Sequence, residues 1–279
     1  MKKIVKPNFS VADVLIECID NLQNENLKQE LIDSTNQFTS AESDFESKVI
    51  TNTLHQIQQN IEISNTINSS VLKGIYTDRM VNKTNKGRVF YNSIFISAPY
   101  GKCPFCSVKQ VRTLDHYLPK SKYPILSITP NNLVPSCSDC NKDKLVDSPT
   151  SSEEETLHPY FDDIENFDWL KAKILTLNPI KFEYYVSPPN EWSDLLKTRL
   201  TNHFSAYLLN DLYSIHAIEE FENIKLQLTK LYQNLGVNQL KEHILDCYIS
   251  RYSVNKNSWQ TAFYNCLYEN EDFCNGSFI

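Results

Sequence analysis

Two Cys pairs, Cys103/Cys106 and Cys137/Cys140, each with a two-residue gap, constrain this chain more than any other feature. Such a gap lets both sulfurs of a pair grip one ion from a tight turn, and four thiolates suit a closed tetrahedral zinc site. Across the module that holds the pairs, Pro99, Pro104, Pro119, Pro124, Pro130 and Pro135 exclude a long helix before Cys137. The pattern predicts short strands over 113–116 and 133–135, then a helix opening at Ser138, with Ser138 or Asp139 as its cap. A redox pair is the competing reading of C-x2-C, but it would stand alone rather than duplicated around an Asp-His step. A zinc ribbon that only binds nucleic acid is the structural alternative, and it would not need Asp115, His116 or Asn141. Cys18, Cys247, Cys266 and Cys274 lack ligand spacing and read as small apolar fillers.

Charge is distributed unevenly. The chain carries a net charge of −7, yet from Lys73 to Lys144 it has twelve basic and four acidic residues, a local +8 that leaves −15 for the remainder. A basic centre in an acidic chain is the footprint of a polyanion site. With five glycines and no phosphate-binding loop, nucleotide binding of the P-loop or Rossmann type is unsupported. No signal-peptide pattern occurs at Met1-Lys2-Lys3-Ile4-Val5 and no run is long enough to span a bilayer, so cytoplasmic residence without membrane partners is expected.

Helical spacing dominates both flanks. Val11, Val14, Leu15 and Cys18 recur on one helical face, with Leu22, Leu27 and Leu31 following, and Ser10 or Asn8 is the expected cap. The stretch 43–63 continues with Phe45, Val49, Ile50, Leu54, Ile57 and Ile61. An acidic stretch over 147–155 reads as a linker or exposed loop, and 182–186 as a strand. Helical signal returns over 191–273, including Leu200, Ile215, Ile218, Phe221, Leu226 and Leu228.

The ordered motifs Cys103/Cys106, Asp115-His116-Tyr117-Leu118-Pro119, Asn132-Leu133 and Cys137-Ser138-Asp139-Cys140-Asn141-Lys142-Asp143-Lys144 closely resemble the zinc-clipped HNH, or ββα-metal, endonucleases. The resemblance covers about residues 99–144 and implies a small ββα-metal (HNH) zinc-containing module; with the helical flanks, the expected fold is mainly α with that module. It implies His116 as the general base that deprotonates water, Asn132 as the residue that orients it, and Asp115 with Asn141 as ligands of a catalytic magnesium or manganese ion. Many members have His where this chain has Asn141, although an Asn occurs there in the HNH module of the CRISPR effector nuclease. An amide oxygen favours hard cations over softer ones that prefer imidazole.

The implied organisation is a helical region over 1–72, the HNH module with its basic lead-in over 73–165, and a helical region over 166–279. Lys144, one turn from Asn141, is the expected phosphate contact, with Lys120, Lys122 and Arg112 as further candidates for nucleic-acid binding. His158, in Leu157-His158-Pro159-Tyr160-Phe161-Asp162, either returns to the active-site cleft or packs. As a whole the chain looks like HNH proteins of bacterial anti-phage defence loci, several of which work beside an ATPase, as in Septu-type systems. DNA is the expected substrate, with RNA open. The rival expectation is a zinc-stabilised nucleic-acid- or partner-binding module without catalysis.

Overall fold

A computed structural model describes residues 1–143 and 148–279, so Lys144 lies outside the described residues. The described residues are mainly helical, with two small antiparallel two-stranded sheets. It divides into two compact units, Met1–Asp162 and Asp163–Ile279.

In the first unit, α1 (Val11–Ile19) opens on a capping box in which Ser10 and Asp13 satisfy each other's backbone, and it buries the expected Val11, Val14, Leu15 and Cys18. Helices α2 (Glu25–Asp33) and α3 (Thr35–Thr51) follow. The helix expected to run on to residue 63 stops at Thr51, because Asn52 adopts a left-handed cap conformation at φ 56° and its N–H turns back to the last carbonyls. Ile50, expected on the buried face, is 65% exposed. Next come α4 (Ser69–Gly74), a π-helical turn over Ile75–Met80 that continues it, and α5 (Arg88–Ile96). The strands β1 (Thr113–His116) and β2 (Leu133–Ser136) and the helix α6 (Ser138–Asp143) occupy the segments read from the sequence.

Gly87, just before α5, has a steric reason. A Cβ there would stand 2.4 Å from Cys18 Sγ and 3.2 Å from Cys18 Cα. Gly87→Ala must therefore force α1 and α5 apart, at an expected cost of about 1–3 kcal/mol. A lowered Tm checks this; an unchanged Tm would mean that the contact yields freely.

The stretch expected as an exposed acidic linker instead ends inside the first unit. Glu155 is buried, and its carboxylate accepts the Leu54 N–H at 2.7 Å. The first residues of the chain are also knitted in, with Lys2 N–H donating to the Pro104 carbonyl and Ile4 N–H to that of Pro159.

The second unit is built on β3 (Leu170–Leu177) and β4 (Ile180–Val186), paired antiparallel, with α7 (Asp194–Ala206), α8 (Leu209–Val254), α9 (Trp259–Glu269) and α10 (Glu271–Cys274). Helix α8 is interrupted at Gly236, whose φ of 82° breaks the helical path. Its buried face runs through Tyr213, Ala217, Phe221 and Leu228, while Ile215 and Leu226, expected in the core, are exposed. The core is aromatic: Phe182 meets Phe263, and Tyr184 meets Tyr213.

Candidate metal and catalytic site

The hairpin places the site residues. β1 and β2 pair with Asp115 opposite Val134 and His116 opposite Leu133. Pro135, opposite Leu114, is tolerated because each strand of a two-stranded sheet is an edge. Helix α6 packs against β1 directly after β2.

The 117–132 connection is held from within by Asn132, which is completely buried. Its side-chain oxygen accepts the Leu118 N–H at 2.7 Å, and its amide donates to the carbonyls of Leu118 (3.0 Å) and Leu126 (3.2 Å). Its own carbonyl accepts the Tyr117 N–H at 2.7 Å. The side chain is thus committed to loop backbone, and any orienting effect on His116 passes through that loop. Asn132→Ala would strand two buried backbone groups, the Leu118 N–H and carbonyl, while the Leu126 carbonyl keeps the Thr129 N–H, and is expected to cost about 2–4 kcal/mol. Chemical denaturation checks this, and a loss below about 1 kcal/mol would contradict the bracing role.

His116 is oriented by a residue that sequence reasoning missed. Its Nε2 lies 2.8 Å from the Ser127 carbonyl oxygen. A carbonyl only accepts, so Nε2 carries the proton and the basic lone pair of the neutral ring is on Nδ1. Ser127 is itself fixed, with its hydroxyl donating to the Leu72 carbonyl of α4 at 2.7 Å. Tyr76, from the π-helical turn, meets the His116 ring edge-on at a centroid distance of 4.4 Å. Burial, then the neighbouring Tyr91 and the Asp115 carboxylate, pushes the Tyr76 phenol well above its ordinary range, so the ring stays neutral beside both His116 and Asp115. No sequence pattern marks Tyr76 or Ser127.

Asp115 is buried, whereas Asn141, on α6, is exposed. One carboxylate and one neutral amide are oxygen donors suited to a hard divalent cation and leave most of its coordination shell for water or substrate.

Cys103, Cys106, Cys137 and Cys140 are all buried, and their sulfurs lie within 4.8 Å of one another. A tetrahedral zinc site with bonds of about 2.3 Å separates its sulfurs by roughly 3.8 Å, so this cluster fits a zinc ion. Backbone donors already face the sulfurs: Lys109 N–H lies 3.5 Å from Cys106 Sγ, and Cys140 N–H 3.4 Å from Cys137 Sγ. The Cys106 thiol is drawn down to about 7 by its hydrogen bond with Cys103, while the other three sulfurs, Cys103 foremost, push Cys140 strongly up. Four crowded thiols cannot all ionise without a cation, so a metal ion would be needed to hold all four as thiolates. An ion pair between Lys109 and Asp139 ties the two Cys turns together.

Of the basic candidates, Lys120 places its ammonium over the Tyr76 ring, 4.7 Å from the centroid, which brings it to the His116 site. Burial, then the adjacent Lys73 cation, holds that ammonium below its ordinary value. Lys122 is half-buried, and Arg112 is exposed on the residue before β1. His158 is fully buried in an aromatic cluster with Phe45, Tyr117, Tyr160 and Phe161, and its Nδ1 accepts the Tyr160 N–H at 3.2 Å. It packs under Tyr117, beside the site residue His116.

A bacteriophage protein is similar to the whole chain. Protein ea31 of Escherichia phage lambda is 25% identical over 296 residues, covering 99% of this chain and all of that protein. No protein-family model matches the chain. No solved structure matches it either. Among the described residues, no helix is long and apolar enough to cross a membrane.

Proposed function

We propose that this chain is an HNH-type metal-dependent endonuclease that hydrolyses phosphodiester bonds in DNA. The observation that carries the reading is the His116 Nε2–Ser127 carbonyl bond, which leaves the basic lone pair on Nδ1 one residue from Asp115. His116 would take a proton from water through Nδ1, freeing the oxygen to attack phosphorus while the opposite P–O bond breaks. Asp115 and Asn141 would hold magnesium or manganese. A bound cation of this kind polarises the phosphate and stabilises the leaving oxyanion. The four Cys residues would hold structural zinc, and with it the turn before β1 and the start of α6. Lys120, Lys122 and Arg112 supply cations for the backbone phosphates, in keeping with the local +8 balance.

The setting follows from the family resemblance: a role in anti-phage defence beside an ATPase. Co-purification with the product of a neighbouring ATPase gene tests that part.

Retention and cleavage, measured together on plasmid DNA, single-stranded DNA and RNA with magnesium or manganese, test the activity. The expected result is cation-dependent cleavage of DNA, abolished by chelator. Retention without cleavage under every cation would favour the non-catalytic binding module, and cleavage confined to RNA would transfer the chemistry to that substrate.

A further inference from the structure

A π-helical turn, Ile75–Met80, interrupts the helical stretch preceding the Cys module. π-Turns are rare and recur at functional sites, because the extra residue re-aims a side chain that a regular helix would point elsewhere. Here Val81 N–H bonds back to the Tyr76 carbonyl, five residues earlier, at 2.9 Å. The ring so presented is 6% exposed, meets His116 edge-on at 4.4 Å and carries the Lys120 ammonium at 4.7 Å.

From this juxtaposition we infer that Tyr76 is a positioning residue of the His116 site, its ring holding both the imidazole of His116 and the Lys120 cation that meets the substrate phosphate. The inference rests on the nuclease reading for its chemistry, but not for its geometry. The ring bounds the imidazole while Ser127 holds Nε2, so the two contacts restrict both the tilt and the rotation of the base. Lys120, seated on the same aromatic ring, is within about 9 Å of the imidazole, near enough to bind a phosphate whose attacking water His116 activates. The preceding helical stretch is then a working part of the site. Its two anchors, the Leu72 carbonyl under Ser127 and Tyr76 against His116, lie about one helical turn apart.

Full-length wild-type protein, Tyr76→Leu, Tyr76→Phe and Lys120→Gln are the variants to compare, with zinc content as the check on folding. In steady-state DNA cleavage, Tyr76→Leu is expected to lower kcat about 10- to 100-fold, the penalty of a misplaced catalytic group, with Tyr76→Phe restoring most of the loss. Lys120→Gln is expected to raise KM more than it lowers kcat. A readout independent of activity is the imidazole nitrogen spectrum of His116. Wild type and Tyr76→Phe should show one Nε2–H tautomer, whereas Tyr76→Leu should show averaged tautomers.

Averaging in Tyr76→Leu supports the positioning role even if no nucleic acid is cleaved, in which case only the nuclease reading fails. An unaltered tautomer, or cleavage by Tyr76→Leu at the wild-type rate, overturns the inference while leaving that reading intact. Should Tyr76→Leu lose zinc, the Tyr76→Phe and Lys120→Gln arms decide. Loss of kcat in Tyr76→Phe as severe as in a His116 variant assigns the role to the hydroxyl, and an unchanged KM in Lys120→Gln removes the phosphate contact; either overturns the inference as stated.

Discussion

Cys137→Ser is expected to strip zinc from the protein and to unfold most of the first unit. All four sulfurs are buried within 4.8 Å of one another, so removing one ligand opens a site that three thiolates close poorly. Structural zinc contributes an apparent binding energy of about 10–16 kcal/mol, comparable to the whole net stability of a domain at about 5–15 kcal/mol. The expected result is about one zinc ion per chain in the wild type by elemental analysis and none in the variant. Thermal unfolding should then lose the transition of the first unit, while the second unit, which has its own aromatic core, keeps one. Because ligands must be deprotonated to bind, acid should release the metal as protons compete for the sulfurs. A variant that kept its zinc and its melting profile would refute the cluster as a structural centre, as would an iron-sulfur absorbance in the wild type.

His116→Ala is expected to have the largest effect on chemistry, a fall in DNA cleavage of about 100- to 10,000-fold, the range supplied by a positioned general base. The variant forfeits the Ser127 hydrogen bond and the Tyr76 contact, a loss of about 1–3 kcal/mol, which the zinc centre and the Asn132-braced loop should absorb. Zinc content and the unfolding profile should therefore remain close to wild type. Cleavage within about threefold of wild type would remove His116 from the mechanism.

Much of the hairpin was legible in the sequence because its signals are local. Prolines bar long helices, the strands are short, and Ser138 opens α6 where a helix was expected. The Cys cluster was legible for the same reason, since its spacing encodes two tight turns. The end of α3 was not, because it depends on the left-handed conformation of Asn52 rather than on hydrophobic spacing. Strand β3 went unread: Leu170, Lys171, Ala172, Lys173 and Ile174 mix polar and small residues, and pairing with β4 decides the outcome. Along α8, Ile215 and Leu226 keep helical spacing yet fall outside the face defined by Tyr213, Ala217, Phe221 and Leu228. At the site, residue types point to Asp115, His116 and Asn132, but not to what orients the His116 ring. Ser127 acts through its carbonyl, which any residue supplies, and Tyr76 arrives from more than thirty residues away in sequence through tertiary packing.

The proposed activity makes His116, held by a zinc-braced hairpin, the base for phosphodiester hydrolysis. Its most direct measurement is single-turnover cleavage of supercoiled plasmid DNA by the zinc-loaded, full-length chain with magnesium or manganese, beside the same protein in chelator and beside His116→Ala. The expected result is nicked or linear product only where both the divalent cation and His116 are present. Cleavage by His116→Ala at the wild-type rate, or none by the zinc-loaded wild type with either cation, would contradict it.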